Sequence, residues 1–290
     1  MKIVVTGASG NVGSALRRHL TFEDVGVDVR TLSSLRDAIR GADVVVHLAW
    51  AIKPTDRETN VDGSEHVLVA CIKEEVGHLI CASSVAAYEP APRWSRVDES
   101  WPVTGIPGST YSAHKVRLEE MISRYPLPCT VIRPCGIGQA SAAQQLRRWL
   151  LGRWISPKLL PLLPMPLWNG LRLQLVHSDD VARAIVEIIN RRAFGAFNLA
   201  AEPVLTAPMI AHDVGAGRVA VPYPLVEKLA GATARLGLQP LTPEWVRMAD
   251  QAPLVRTTRA HQDLEWWPEH DARDVLREVV GAMEGLRDRN

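Results

Sequence analysis

The stretch Thr6-Gly7-Ala8-Ser9-Gly10-Asn11-Val12-Gly13 follows a strand-like run, Met1–Val5, and opens a helical pattern, Val12–Leu20. Glycines in such a turn permit a tight bend and bring the backbone close to a pyrophosphate resting on a helix N-terminus. A glycine turn can also serve only to let a helix pack tightly on a strand, so the context decides. Here the strand–turn–helix order favours a nucleotide site formed by Gly7, Ser9, Gly10, Asn11, Val12 and Gly13.

Working outward, the same alternation continues. Val25–Val29, Val44–Leu48, His78–Cys81 and Cys129–Arg133 are short apolar runs, separated by helical patterns at Leu32–Arg40, Val61–Glu74 and Ser112–Arg124. Asn60 stands where it could cap the helix at Val61 with its side-chain oxygen. Runs that are apolar on both faces suit buried parallel strands flanked by helices, which predicts an α/β, doubly wound sheet. After residue 138 the texture changes. Ser141–Gly170 is crowded with Trp and Pro, and Leu171–Val176 and Phe194–Ala200 return to strand character around a helix at Asp179–Asn190. Pro-punctuated helices then lead to an amphipathic helix, Ala272–Leu286. The predicted organisation is a dinucleotide-binding domain from 1–138 and 171–200, with a smaller, mostly helical substrate lobe from 139–170 and 201–290.

The chain has 290 residues, 47 % apolar and 22 % charged, with a net charge of +1. That is enough apolar residue for a real core, which excludes a disordered chain. Near-zero net charge argues against a nucleic-acid partner, since duplex binding rests on many basic contacts. The four cysteines, Cys71, Cys81, Cys129 and Cys135, form no metal-ligand spacing and imply a reduced compartment. With no signal-like head and no transmembrane run, the expectation is a cytoplasmic protein, with a homodimer left open.

Two further clusters carry chemistry. Tyr111 and Lys115, four apart on a predicted helix, share one face, and a cation there would lower the phenol's pKa toward neutrality. A surface Tyr beside a solvated Lys reads the same way in isolation. Cys81-Ala-Ser83-Ser84-Val-Ala-Ala-Tyr88 lies at the carboxyl end of a buried strand, where ligands bind in doubly wound folds. A hydroxyl there can meet a substrate carbonyl, or can simply bond its own backbone.

Together these motifs resemble the extended short-chain dehydrogenase/reductase family, of the NAD-dependent epimerase/dehydratase type. The resemblance runs nearly end to end. It takes in the glycine turn, Asp28-Val29, His47-Leu48-Ala49, Asn60-Val-Asp-Gly, Ser83-Ser84 with Tyr88, Tyr111-x-x-x-Lys115, Arg133-Pro134, His177-Ser178-Asp179-Asp180 and Leu264-Glu-Trp-Trp-Pro268. It implies a Rossmann-like sheet and NAD or NADP as cofactor. Cofactor contacts are expected from the glycine turn, Asp28, Val29, Leu48, Ala49, Tyr111, Lys115, Pro134 and Ile137. It also implies that Tyr111 is the general acid or base, that Lys115 lowers its pKa while holding the nicotinamide ribose, and that Ser84 bonds the same substrate oxygen. His114 and His177 are read as incidental, His177 ordering a loop rather than binding metal.

The sequence departs from the family twice. Only eleven residues separate Gly13 from the next apolar run, so one strand–helix unit is missing and the sheet should be one strand short of the usual seven. The surviving run resembles the family's third strand, with Asp28-Val29 at the adenine. Simple spacing instead makes Asp28 a ribose-binding acid. Either way, dinucleotide binding is expected to be weak. Second, the Arg that grips a sugar-nucleotide diphosphate is replaced by Leu173, with Arg172 facing the other side of a strand. The expected activity is therefore a nicotinamide-dependent ketoreductase or alcohol dehydrogenase acting on a bulky apolar small molecule, such as a polyketide, sterol or aromatic aglycone. Trp50, Val85, Trp149, Trp154 and Trp168 would line its site. The alternatives are a non-redox lyase, isomerase or cyclase, then a nucleotide-sugar epimerase/dehydratase or a non-catalytic binding module.

Overall fold

The computed structural model describes residues 1–24, 26–52, 56–150, 164–238 and 241–285. By contact the chain divides into two compact units. The first comprises Met1–Cys135, Ser178–Leu199 and Pro253–Trp267; the second comprises Gly136–His177, Ala200–Ala252 and Pro268–Asn290.

The first unit is built on a six-stranded sheet. Its strands are β1 (Ile3–Thr6), β2 (Glu23–Asp24), β3 (Val44–His47), β4 (His78–Ala82), β5 (Cys129–Pro134) and β6 (Gly195–Leu199). They run parallel in the order β6-β5-β4-β3-β1-β2. Val, Ile and Leu dominate the central strands because both faces are covered. Val4, Val45, Leu79 and Cys81 join one core cluster, while the alternate residues Val5, Val46 and Ile80 are equally buried. That cluster is completed by Leu35 and Ile39 from helix α2 (Leu32–Ile39), Val67 and Cys71 from α3 (Gly63–Lys73), and Leu118 and Met121 from α4 (Thr110–Arg124). Helix α1 (Asn11–Leu16), which opens the glycine turn, packs on α5 (Ser178–Arg191). The chain leaves β1 toward β2 on one side and crosses to β3 on the other. The strand order therefore reverses between β1 and β3, and their carboxyl ends form the switch-point crevice where ligands bind in such sheets.

The sheet is one strand short, but the surviving strand is not where the sequence placed it. Of the run Val25–Val29, the described residues 26–29 do not form a third-position strand, and Val25 lies outside the described residues. Instead Glu23 and Asp24 pair with Val4 and Val5, directly beside β1, and residues 26–30 turn into α2. The apolar side chains go into the helix layer rather than a ladder. Val29 is buried against α3, where a Cβ on Gly63 would lie 2.7 Å from its Cγ2, and Val27 packs on the same core.

The segment Pro253–Trp267, expected in the C-terminal lobe, belongs to the first unit. Leu254–Val255 pairs with Arg96–Val97, helix α6 (Thr258–Leu264) packs on β6 and α5, and Trp266 is fully buried with its indole donating to the Asp180 carbonyl at 2.8 Å. Burying an indole of that size costs less when its N–H finds an acceptor, as it does here.

The second unit has its own core, formed by Trp168, Leu171, Leu205, Ile210 and Val246, with Ala272 from the helix Ala272–Gly285. Short pairs, Leu175–His177 with Gly136–Gly138 and Met165–Leu167 with Arg218–Ala220, knit its loops. Among the described residues no helix is long and apolar enough to cross a membrane.

Candidate active site

Ser84 follows β4 and caps a short 3-10 turn, Val85–Ala87, its Oγ accepting from the Ala86 N–H at 3.1 Å. Helix α4 starts nearby, capped by Ser109, and presents Tyr111 and Lys115 one turn apart. Ser112, which the sequence reading passed over, locks the two elements together. Its hydroxyl is fully buried, donates to the Ala86 carbonyl at 2.6 Å and accepts from the Ile106 N–H at 2.7 Å. Its place one residue after Tyr111 carries no sequence signal of this role, since both partners are tertiary contacts. With this lock in place, a hydrogen bond joins the Tyr111 phenol to the Ser84 side chain.

The electrostatics differ from the expectation. Burial pushes the Tyr111 phenol up to about 12, only partly offset by the Ser84 hydrogen bond. Burial also pushes the Lys115 ammonium down to about 7. Lys115 does not hold the phenol near neutrality because its Nζ lies 5.8 Å from the Tyr111 ring centre and is directed elsewhere. It donates to the Ala82 carbonyl at 2.7 Å and sits 3.2 Å above the centre of the Trp50 ring. Trp50 in turn meets Tyr111 edge-on, with ring centres 6.2 Å apart.

The loop after β3 is held by a buried chain of polar contacts. His47 Nδ1 lies 2.8 Å from Thr6 Oγ1 and its Nε2 lies 2.9 Å from Ser64 Oγ. Ser64 spends its hydroxyl proton on the Asn60 carbonyl at 2.7 Å, so His47 must donate from Nε2 and accept at Nδ1. Burial, with the Lys115 charge, holds this imidazole neutral, down to about 3. Asn60 is not the helix cap the sequence suggested. It lies within a π-turn, Glu58–Asp62, and its amide clasps both backbone groups of Ala51, accepting from N–H at 2.8 Å and donating to the carbonyl at 2.7 Å. These contacts fix Leu48, Ala49 and Trp50 at the crevice.

The glycine turn has the form of a phosphate cradle. Gly7 has φ +75°, and a Cβ there would lie 2.5 Å from the Ala49 N; at Gly13 it would lie 2.5 Å from the Gly7 carbonyl and 2.6 Å from the Ala8 Cα. Helix α1 has no side-chain cap on its first turn, and the Asn11 amide oxygen is held by the Ser178 hydroxyl at 2.7 Å. Glycines at these two positions let the turn and α1 pack directly on the β1 and β3 ends, the close packing that dinucleotide-binding turns require. Gly13→Val should therefore destabilise the fold by about 1–3 kcal/mol, read from a urea midpoint, because the atoms in its way are backbone. An unchanged midpoint would mean the turn can give.

Beyond β2, the Asp28 carboxylate is half-exposed and clasped by the Arg30 guanidinium and N–H, which hold it down at about 2. Arg17 pairs with Asp24 and Arg18 with Asp179, so all three arginines near this end already face carboxylates. Pro134 ends β5 opposite Leu199, and Ile137 lies in the second unit's strand Gly136–Gly138.

Of the expected substrate walls, Trp50 stands against Lys115 and Tyr111, and Val85 is buried in the turn after Ser84. Trp168 lies in the core of the second unit, its indole donating to Asp250 Oδ1 at 2.7 Å and its ring edge-on to Tyr223. Trp154 and the Trp149 side chain lie outside the described residues. Arg172 is buried, donating to the Asp250 carbonyl at 2.9 Å. His177 stacks on His270 at 3.9 Å and pairs with Glu278, and no metal-binding group of His, Cys, Asp or Glu occurs among the described residues.

Comparison with known proteins agrees with this architecture. The chain is 24 % identical over 98 % of its length to an uncharacterized protein of Mycobacterium tuberculosis, of which it spans about 30 %. It is likewise 24 % identical over 98 % of its length to an uncharacterized protein of Sinorhizobium fredii, covering 79 % of that relative. Among solved structures it resembles the dTDP-glucose 4,6-dehydratase of Streptomyces venezuelae with NAD bound (TM-score 0.75, 19 % identity, 99 % of this chain and 98 % of that one). It also resembles the UDP-glucose 4-epimerase of Thermus thermophilus in complex with NAD (TM-score 0.71, 20 % identity, 98 % of this chain and 99 % of that one). At these identities the likeness is one of fold. The family model for NAD dependent epimerases/dehydratases matches residues 3–200, and the chain belongs to that family.

Proposed function

We propose that the protein is a nicotinamide-dependent ketoreductase working in the direction of carbonyl reduction. The observation that carries this reading is the placement of Tyr111 and Lys115 one turn apart on α4, beside Ser84 at the turn after β4. A phenol that stays protonated there can give its proton to a carbonyl oxygen. When bound, the nicotinamide supplies the hydride. As the carbonyl carbon receives it, Tyr111 gives its proton to the oxygen and Ser84 orients that oxygen. Solvent then returns a proton to Tyr111. The residues of the first unit that would hold the cofactor are Gly7, Ser9, Gly10, Asn11, Val12 and Gly13 at the pyrophosphate, Asp28 and Val29 toward the adenosine, and Leu48, Ala49, Pro134, Tyr111 and Lys115 toward the nicotinamide.

A bulky apolar substrate suits this reading better than a sugar nucleotide. Arg172 is buried with its guanidinium donating to the Asp250 carbonyl, and the indole of Trp50 stands edge-on to Tyr111. The two-residue β2, with no strand outside it, favours the second reading, a non-redox lyase or isomerase. Two lost hydrogen bonds at the adenosine would weaken a dinucleotide roughly five- to a hundredfold. Calorimetric titration with NAD and NADP, followed by a reduced-nicotinamide assay on an aromatic ketone, separates the cases. Weak binding of both cofactors with ketone reduction is expected. Substrate conversion without dinucleotide binding would favour the non-redox reading, and turnover of a uridine or thymidine diphosphate sugar alone would reverse the substrate class.

A further inference from the structure

The indole of Trp50 has two unusual contacts and one missing one. Its ring lies 3.2 Å below the Lys115 ammonium, and its edge geometry with Tyr111 places it against both members of the catalytic pair. Its Nε1 is sealed from solvent and finds no acceptor among the described residues. A cation over a Trp face is a favourable contact, strongest when desolvated. A buried indole N–H without an acceptor is unfavourable, because the group has given up water for nothing. The ring is therefore drawn into this pose by Lys115 while its polar atom is penalised there.

Lys115 is only 2 % exposed. One side of the ammonium faces the Ala82 carbonyl and another faces Trp50. The Ala82 carbonyl is backbone at the end of β4 and cannot move away. Trp50 is a side chain, partly buried at the rim of the core, on a loop whose fixed points are the backbone of Ala51 and the imidazole of His47. Of these two groups, the indole is the one that can swing.

We propose that Trp50 gates Lys115: a ligand hydroxyl reaches the ammonium only when the indole leaves it, so Trp50 competes with the ligand and sets its affinity. For the dinucleotide, this rests on the cofactor reading given above. The competition loosens binding beyond what the shortened adenosine side does, and the displaced N–H gains the chance of an acceptor.

The experiment has two arms on the full chain, comparing the parent with Trp50→Leu and Trp50→Phe. In the first arm, amines are acetylated briefly and Lys115 modification is followed by peptide mass spectrometry against the exposed Lys73 and Lys228. Trp50→Leu should speed labelling of Lys115 by about two- to thirtyfold, the equivalent of the lost cation–π contact, with the other lysines unchanged. Equal labelling in parent and variant overturns the gate, whatever the cofactor. In the second arm, calorimetry compares the dinucleotide with ADP, which lacks the nicotinamide ribose. Trp50→Leu should tighten the dinucleotide by a similar factor and leave ADP unchanged, with Trp50→Phe in between. Weaker dinucleotide binding in Trp50→Leu would mean the indole is a ligand platform and overturns the proposal. Faster labelling with no dinucleotide binding in any form would keep the gate and sink the cofactor reading instead.

Discussion

Replacing Tyr111 with Phe is expected to lower carbonyl turnover by about 10²–10⁴ while leaving the protein folded. The ring stays, and with it the edge contact to Trp50. Only the hydroxyl goes, and Ser84 keeps its bond from the Ala86 N–H, so the stability change should be under about 1 kcal/mol. The loss should fall on kcat rather than KM, because proton donation belongs to the transition state and not to binding. Steady-state kinetics with a ketone, paired with a thermal melt, reads both. Parent-like turnover in Tyr111→Phe would remove this residue from proton transfer.

The second large effect is on stability, and it changes with pH. Lys115 titrates at about 7 in the folded chain against an ordinary 10.5, because burial opposes its charge. Below about 7 it is charged whether the chain is folded or not, and folding bears the full cost of burying the ammonium. Between about 7 and 10.5 the unfolded chain binds the extra proton, so stability rises with pH across that window. Lys115→Met removes the charge and keeps the stem. Allowing for the lost contacts to Ala82 and Trp50, it should stabilise the protein by about 1–3 kcal/mol near neutral pH. The advantage should shrink as pH approaches about 10. Denaturant midpoints of parent and variant at both ends of the window test this. A gap that does not change with pH would mean the ammonium is not penalised.

How far the residues revealed this depends on what each one does. The central strands were legible because Val44-Val45-Val46 and Leu79-Ile80-Cys81 are apolar on both faces, a pattern that only a covered parallel sheet explains. The glycine turn was legible because its glycines stand where a Cβ meets backbone. Val27 and Val29 misled because period and composition do not distinguish a strand from a turn that feeds valines into a helix layer. Asn60 misled because its place before a helix suggested a cap, while its partner, Ala51, is a tertiary contact across a loop. Ser112 and the Trp50–Lys115 contact were illegible for the same reason. The phenol's behaviour was mistaken because spacing reports which groups share a face, but says nothing of how dry that face is.

The glycine turn is an N-terminal feature that is finished late. Asn11 is held by Ser178, Arg18 and His19 by Asp179, and the start of the helix that supplies both is secured by Trp266 on the Asp180 carbonyl. The first unit is thus closed by pieces made at three separate times during synthesis, with the second unit's segments emerging between them. Contacts this far apart in sequence form slowly, since the intervening chain must be gathered first. On the ribosome, the nascent β1 and its turn wait some 170 residues for their partner and some 250 for the tryptophan that secures it. A glycine turn held in this way matures only as the whole chain does, which leaves its apolar first strands dependent on protection until then.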